Sequence, residues 1–221
     1  MASSPEVYYG KDDEIKKASL CRPIPPFSVK YKDVFNLKNL YVMMHELLLE
    51  EGWLGWENNE EGMQSHSDLE ILYSENVYQK GIHHGGKEYW VWWRANKQWE
   101  RSNNYFRFAL DIDWHLVGMS DVEIVHQGKK MKSQKGELEI FFNAKLLSDI
   151  GLTWEKHPFL KHWKKIYEKR IIYADIEKRE KELWREVYRI QSKLKAYLKL
   201  RTWMPEAPSF HSPMTGFEGT F

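Results

Sequence analysis

Cysteine is nearly missing: the 221 residues contain one, Cys21. No intrachain disulfide can form, a zinc site built on several thiolates is excluded, and a reducing compartment is the simplest setting. Long hydrophobic runs are missing too. No segment approaches the ~18 uninterrupted apolar residues of a membrane-crossing helix, and the N-terminal MASSPEVYYGKDDE has no apolar core behind a basic start. The expectation is a soluble, non-secreted protein, in the cytoplasm or in a particle assembled there, with no membrane partner. Net charge is also scarce, since 33 Lys and Arg stand against 32 Asp and Glu. That removes any bulk pull toward nucleic acid or anionic lipid, so any such binding has to be local. Finally, there is no GxSxG elbow, Walker A loop, GxGxxG after a strand, HExxH, or cysteine nucleophile with a partner set. These absences shift weight from enzyme toward binding or assembly, with no cofactor and no metal expected.

Aromatic residues are abundant instead, at 15% with 11 Trp, which implies a large core, extensive interfaces or both. The clearest pattern runs from Tyr105 to Val117. Phe106, Phe108, Leu110, Ile112, Trp114 and Leu116 alternate with Tyr105, Arg107, Ala109, Asp111, Asp113, His115 and Val117. A period of two held this long puts the large apolar side chains on one face of a strand, as in the middle of an antiparallel sheet.

Around that strand the chain divides into three parts. Residues 1–33, with Pro5, Pro23, Pro25 and Pro26, read as an extended N-terminal arm without regular helix or sheet, yet one too apolar to be left in water. Residues 34–200 read as a single domain. Its first helix starts at an Asp33 N-cap and stops at Gly52, and a polar loop follows over 53–67. Strands are expected over 69–79, 87–94, 105–117, 122–126 and 137–147, with GIHHGG as a hairpin turn, GMSD as a turn, and a basic turn over 127–135. Pro158 opens a helical stretch over 158–200 whose apolar residues recur every three or four positions. Unbroken, it would be about 60 Å long, so either it breaks near the RIIYAD segment or its distal half projects and pairs with something else. Residues 201–221 form an extended C-terminal tail carrying Phe210, Phe217 and Phe221.

Four groupings offer chemistry. Arg107, Asp111, Asp113 and His115 share the polar face of the central strand and are the candidate ligand-binding residues; the plainer explanation is a solvated sheet face with an Arg107–Asp111 ion pair. Trp90, Trp92, Trp93 and Trp99 with Arg94, Lys97 and Arg101 suit a single-stranded nucleic-acid platform or a sugar-stacking surface, with Trp90, Trp92 and Arg94 the candidate contacts; the plainer explanation is a sheet covered on both faces. His83 and His84 show no recognised ligand spacing and read as an exposed turn. Lys129, Lys130, Lys132 and Lys135 read as an ordinary charged turn.

The fold expected is α+β: an antiparallel sheet of four to five meander strands, one N-terminal amphipathic helix, one long C-terminal helix, and two extended arms. The leading functional expectation is a non-enzymatic structural or assembly subunit of a larger oligomeric complex, such as a virion or tail, contacting copies of itself or other subunits. Tyr8, Tyr9, Phe27, Phe210, Phe217 and Phe221 are the interface candidates. The alternative is a small-molecule binding module or enzyme with a helix-grip-like cavity between sheet and long helix. Single-stranded nucleic-acid binding is the weakest option.

Overall fold

The structure, a computed structural model, describes residues 20–55, 69–80, 83–98, 105–126, 129–149 and 153–200. In chain order the elements are β1 (Leu20–Pro23), β2 (Phe27–Phe35), α1 (Leu37–Glu50), β3 (Leu54–Gly55), β4 (Glu70–Lys80), β5 (His83–Gln98), β6 (Phe106–His126) and β7 (Lys129–Ser148). After them come α2 (Thr153–Lys156), α3 (Leu160–Ile166), a π-helical turn (Tyr167–Ile171) and α4 (Tyr173–Tyr197). The protein is α+β, and among the described residues seven strands form one antiparallel sheet. Strands β4 to β7 are a meander. β1 and β2 both line the far side of β7, and β3 and β4 share the far side of β5.

The central strand behaves as its alternation requires. Phe108, Leu110, Ile112, Trp114 and Leu116 are buried on one face of β6, in one core cluster with Leu40, Met44 and Leu48 of α1 and Leu183, Val187, Ile190 and Leu194 of α4. Both helices lie on that face. Ion pairs at the rim tie α4 to the rest: Arg22 to Glu180 at 3.3 Å, Lys97 to Glu186 at 2.9 Å and Arg189 to Glu51 at 3.0 Å. No helix among the described residues is long and apolar enough to cross a membrane.

Several expectations need correction. The sheet has seven strands among the described residues rather than four to five, and the basic turn expected over 127–135 is strand from Lys129 on. Residues 20–35 are not an unpaired arm: β2 pairs with β7 from Phe27↔Phe142 to Phe35↔Gln134. Here Phe27, Val29 and Tyr31 alternate with Ser28, Lys30 and Lys32; Pro23 ends β1, and Pro25 and Pro26 lie between the two strands. The first helix is capped by Asn36, whose side chain accepts from the Asn39 N–H at 3.0 Å, rather than by Asp33, which lies inside β2. GMSD is not a turn between strands but a bulge within β6. Gly118 sits at φ +65° between Val117 and Ser120, and β6 continues beside β7 to His126; an extra residue in one strand twists a ladder without ending it. GIHHGG does join the paired strands β4 and β5, but strand reaches further into it than expected, with His83 and His84 paired to Lys80 and Gln79; residues 81–82 lie outside the described residues.

The C-terminal helical stretch breaks at the π-turn, with Ile172 as the cap of α4. Its distal part, α4, packs on the sheet through its apolar seam and leaves Tyr173, Tyr188 and Tyr197 exposed; at the proximal end Phe159, Trp163, Ile166 and Ile171 are exposed.

Candidate functional site

The face of the sheet opposite the helices carries the candidate residues, and strand register decides which of them meet. Across β5, β6 and β7 the cross-strand rows on this face read Trp90, His115, Glu139; then Trp92, Asp113, Phe141; then Arg94, Asp111, Asn143. The third row is followed by Ala109 and Lys145. Two groups that look separate along the chain, the carboxylate row of β6 and the Trp–Arg row of β5, therefore form one cluster.

Arg94 is its centre. Its Nη1 donates to Asp113 Oδ1 at 2.5 Å and to the Trp93 carbonyl at 2.8 Å, and its Nε lies 3.5 Å from Asp111 Oδ1. Lys145 Nζ reaches Asp111 Oδ2 at 3.1 Å. Arg94, Asp111 and Asp113 are all buried. Two cations and two carboxylates thus cancel within one sheet face, the condition under which buried charge is tolerated. Burial pushes the Asp113 carboxyl above its ordinary range, and Arg94 opposes that shift. Beside the cluster, Trp90 stacks on His115 with ring centroids 3.8 Å apart, and Glu88 Oε1 accepts from Trp90 Nε1 at 3.1 Å and lies 2.8 Å from His115 Nε2.

The expected Arg107–Asp111 pair is replaced. Arg107 donates to Gln98 Oε1 at 3.1 Å, directly across the ladder, while Asp111 is engaged by Arg94 and Lys145. Nor do Arg107, Asp111, Asp113 and His115 line a space between sheet and helix. They face away from it, and Leu110, Ile112 and Trp114 fill that space with the helix side chains. Asp111, Asp113 and His115 do not assemble into a metal site, and among the described residues no group of three or more His, Cys, Asp or Glu could hold a metal ion.

The nucleic-acid candidates meet the same face but offer little to bases. Trp92 and Arg94 are buried, Trp90 is stacked on both Trp92 and His115, and Trp93 points into the core. Trp99 and Arg101 lie outside the described residues, as do the interface candidates Tyr8, Tyr9, Phe210, Phe217 and Phe221. Phe27 is partly buried and packs against the core, stacked on Phe142 at 5.0 Å and Tyr188 at 5.4 Å.

Asp113 also borders an open groove of about 320 Å³ lined by Pro26, Phe27, Ser28, Trp90, Asp113, Phe141 and Asn143. Ser28, Phe141 and Asn143 were not legible as site residues, because nothing local in the sequence states which strand lies beside β7. The alternation Ser28, Lys30, Lys32 was the available sign that this segment is a strand with a polar outer face.

A second unexpected surface is β4. Ile71, Leu72, Tyr73 and Val77 are all exposed, and among the described residues β4 has no strand on its outer side. No protein-family model matches the chain, and no characterised protein and no solved structure matches it either.

Proposed function

We propose that the chain is a non-enzymatic assembly subunit that associates with copies of itself through the open edge of β4. The observation that carries this reading is a contrast between the two edges of the sheet. The β1–β2 side is interrupted by Pro23, Pro25 and Pro26 and bears Lys30 and Lys32, the means by which natural sheets discourage strand addition. β4 is eleven residues long, has no proline, carries lysine only at its last position, and exposes four large apolar residues, with Val77 54% exposed. An edge left in this state is a template for a further strand, and an identical edge is the simplest partner because a two-fold arrangement closes. The terminal segments with Tyr8, Tyr9, Phe210, Phe217 and Phe221 add contacts to neighbours in the same reading.

Hydrogen exchange tests it. Among the described residues no strand pairs with the outward amides of β4, whereas association through this edge pairs them, so their protection is expected to rise with protein concentration. Unprotected exchange at every concentration contradicts the proposal.

The groove beside Asp113 favours a second reading, a site for a small uncharged polar ring such as a sugar. Trp90 and Phe141 supply aromatic surface, Asn143 and Ser28 supply hydrogen-bonding groups, and Arg94, Lys145, Asp111 and Asp113 balance so that neither ionic sign is preferred. Saturation-transfer NMR against mono- and disaccharides is expected to give signals that Asn143→Ala removes; no signal for any of them contradicts this reading.

A further inference from the structure

We infer that the ridge formed by α3 and the π-turn is a docking surface for an anionic phospholipid bilayer, which the protein touches without crossing. The inference stands apart from pairing through β4. Phe159, Trp163, Ile166 and Ile171 are 66%, 53%, 49% and 65% exposed, and the first three recur at steps of four and three, along one side of the helix. Phe159 and Trp163 lie with ring centroids 6.4 Å apart.

The other side of α3 is held down. Lys164 Nζ reaches Asp149 Oδ2 at 2.9 Å, Tyr167 stacks on Trp154 at 4.5 Å, and the Tyr105 hydroxyl donates to Glu168 at 3.2 Å. The helix cannot roll its apolar side inward without breaking these contacts.

Charge selects the occupant. Residues 156–170 hold six Lys and Arg against one Glu; with Lys164 taken up by Asp149, five cations against one carboxylate remain, in a chain whose total is +1. Lys156, Lys161, Lys169 and Arg170 are exposed, as are His157 and His162. A second copy presenting the same ridge meets this charge with its own, which disfavours self-association here. Nucleic acid would use the cations and has no use for Ile166 and Ile171. A bilayer with acidic headgroups uses both: Trp and Phe settle at the headgroup and acyl boundary, lysines meet the phosphates, and a fluid surface accepts a convex ridge without a complementary pocket. Chain-wide neutrality gives no reason to expect a lipid partner; the local concentration of charge beside exposed rings does.

The experiment is co-sedimentation of the full chain with vesicles of phosphatidylcholine alone and of phosphatidylcholine mixed with phosphatidylserine. Binding to the mixed vesicles is expected to exceed binding to the neutral ones, to weaken with salt, and to fall by about fivefold for each cation removed. Because the residues are exposed, Phe159→Ser with Trp163→Ser should leave the melting temperature unchanged and abolish sedimentation, and Lys161→Glu with Lys169→Glu should also abolish it. No binding to the mixed vesicles overturns the inference, and so does equal binding to both kinds. Retained binding in the Phe159→Ser, Trp163→Ser variant overturns it in favour of a generic polyanion surface, as does competition by oligo(dT) or polyglutamate that is indifferent to that variant.

Discussion

Arg94 on β5 donates to Asp113 on β6 at 2.5 Å, although the residue directly across the ladder from it is Asp111. The diagonal contact draws two acidic rows onto one guanidinium. Lys145 from β7 supplies the second cation, so three neighbouring strands are pinned in register on the face away from the helices.

Removing the centre of that cluster leaves two buried carboxylates short of a partner. Arg94→Met is expected to destabilise the fold by about 3–5 kcal/mol. Arg94→Met with Asp113→Leu should lose clearly less than the sum of the two single changes, since the pair is removed together. Urea denaturation of the four proteins measures the coupling, and simple additivity would show that the contact is not energetically shared.

The raised pKa of Asp113 predicts a direction with pH. Folded protein holds this proton more tightly than unfolded protein, because burial disfavours the charged form. The stability it contributes is complete below the ordinary carboxyl value and is lost as pH rises through the folded value. Relative to Asp113→Asn, the wild type should therefore lose stability over the interval from the ordinary carboxyl pKa up to the raised folded value. Denaturation at a series of pH values checks the sign, and a difference that grows in favour of the wild type over this interval contradicts it.

Helix capping separates Asn36 from Asp33. Asn36→Ala is expected to lose about 1 kcal/mol because the Asn39 N–H loses its acceptor. Asp33→Ala, at an exposed position in β2, should stay within about 0.5 kcal/mol. Thermal melting of the two variants makes the comparison, and a reversed order would place the helix start at the earlier residue.

Two glycines at the bulge should respond differently. Gly118→Ala meets no atom within 4 Å but must hold φ at +65°, so about 1 kcal/mol is expected to be lost. At Gly86 an added Cβ would lie 2.6 Å from the Gly118 backbone, which forces β5 and β6 apart, so Gly86→Ala should cost more. Equal melting temperatures for the two variants would contradict this account of the crossing.

The parts of this fold that were legible depend on neighbours along the chain. The alternation from Phe106 to Leu116 sorts β6 into two faces, the three-and-four steps of Leu40, Met44, Leu47 and Leu48 mark α1, and the excess length of 158–200 points to a break near RIIYAD. What escaped depends on partners far away in sequence. The prolines before Phe27 masked a nine-residue strand whose evidence was its pairing with β7, and Gly118 looks the same in a turn and in a bulge until the partner strand is known. The candidate site shows the same division. Asp111, Asp113 and Arg94 were recognisable as unusual, but their contact is a matter of cross-strand register, and the nearest cation along β6, Arg107, was the wrong partner for Asp111.

Solution mass across a wide concentration range tests assembly through β4 most directly. Light scattering is expected to show a species of at least twice the 26.6 kDa chain mass, and Ile71→Lys with Val77→Lys, both at exposed positions, should return it to 26.6 kDa without lowering the melting temperature. A wild-type chain that stays at 26.6 kDa at every concentration contradicts the proposal, as does an oligomer that survives the two lysines.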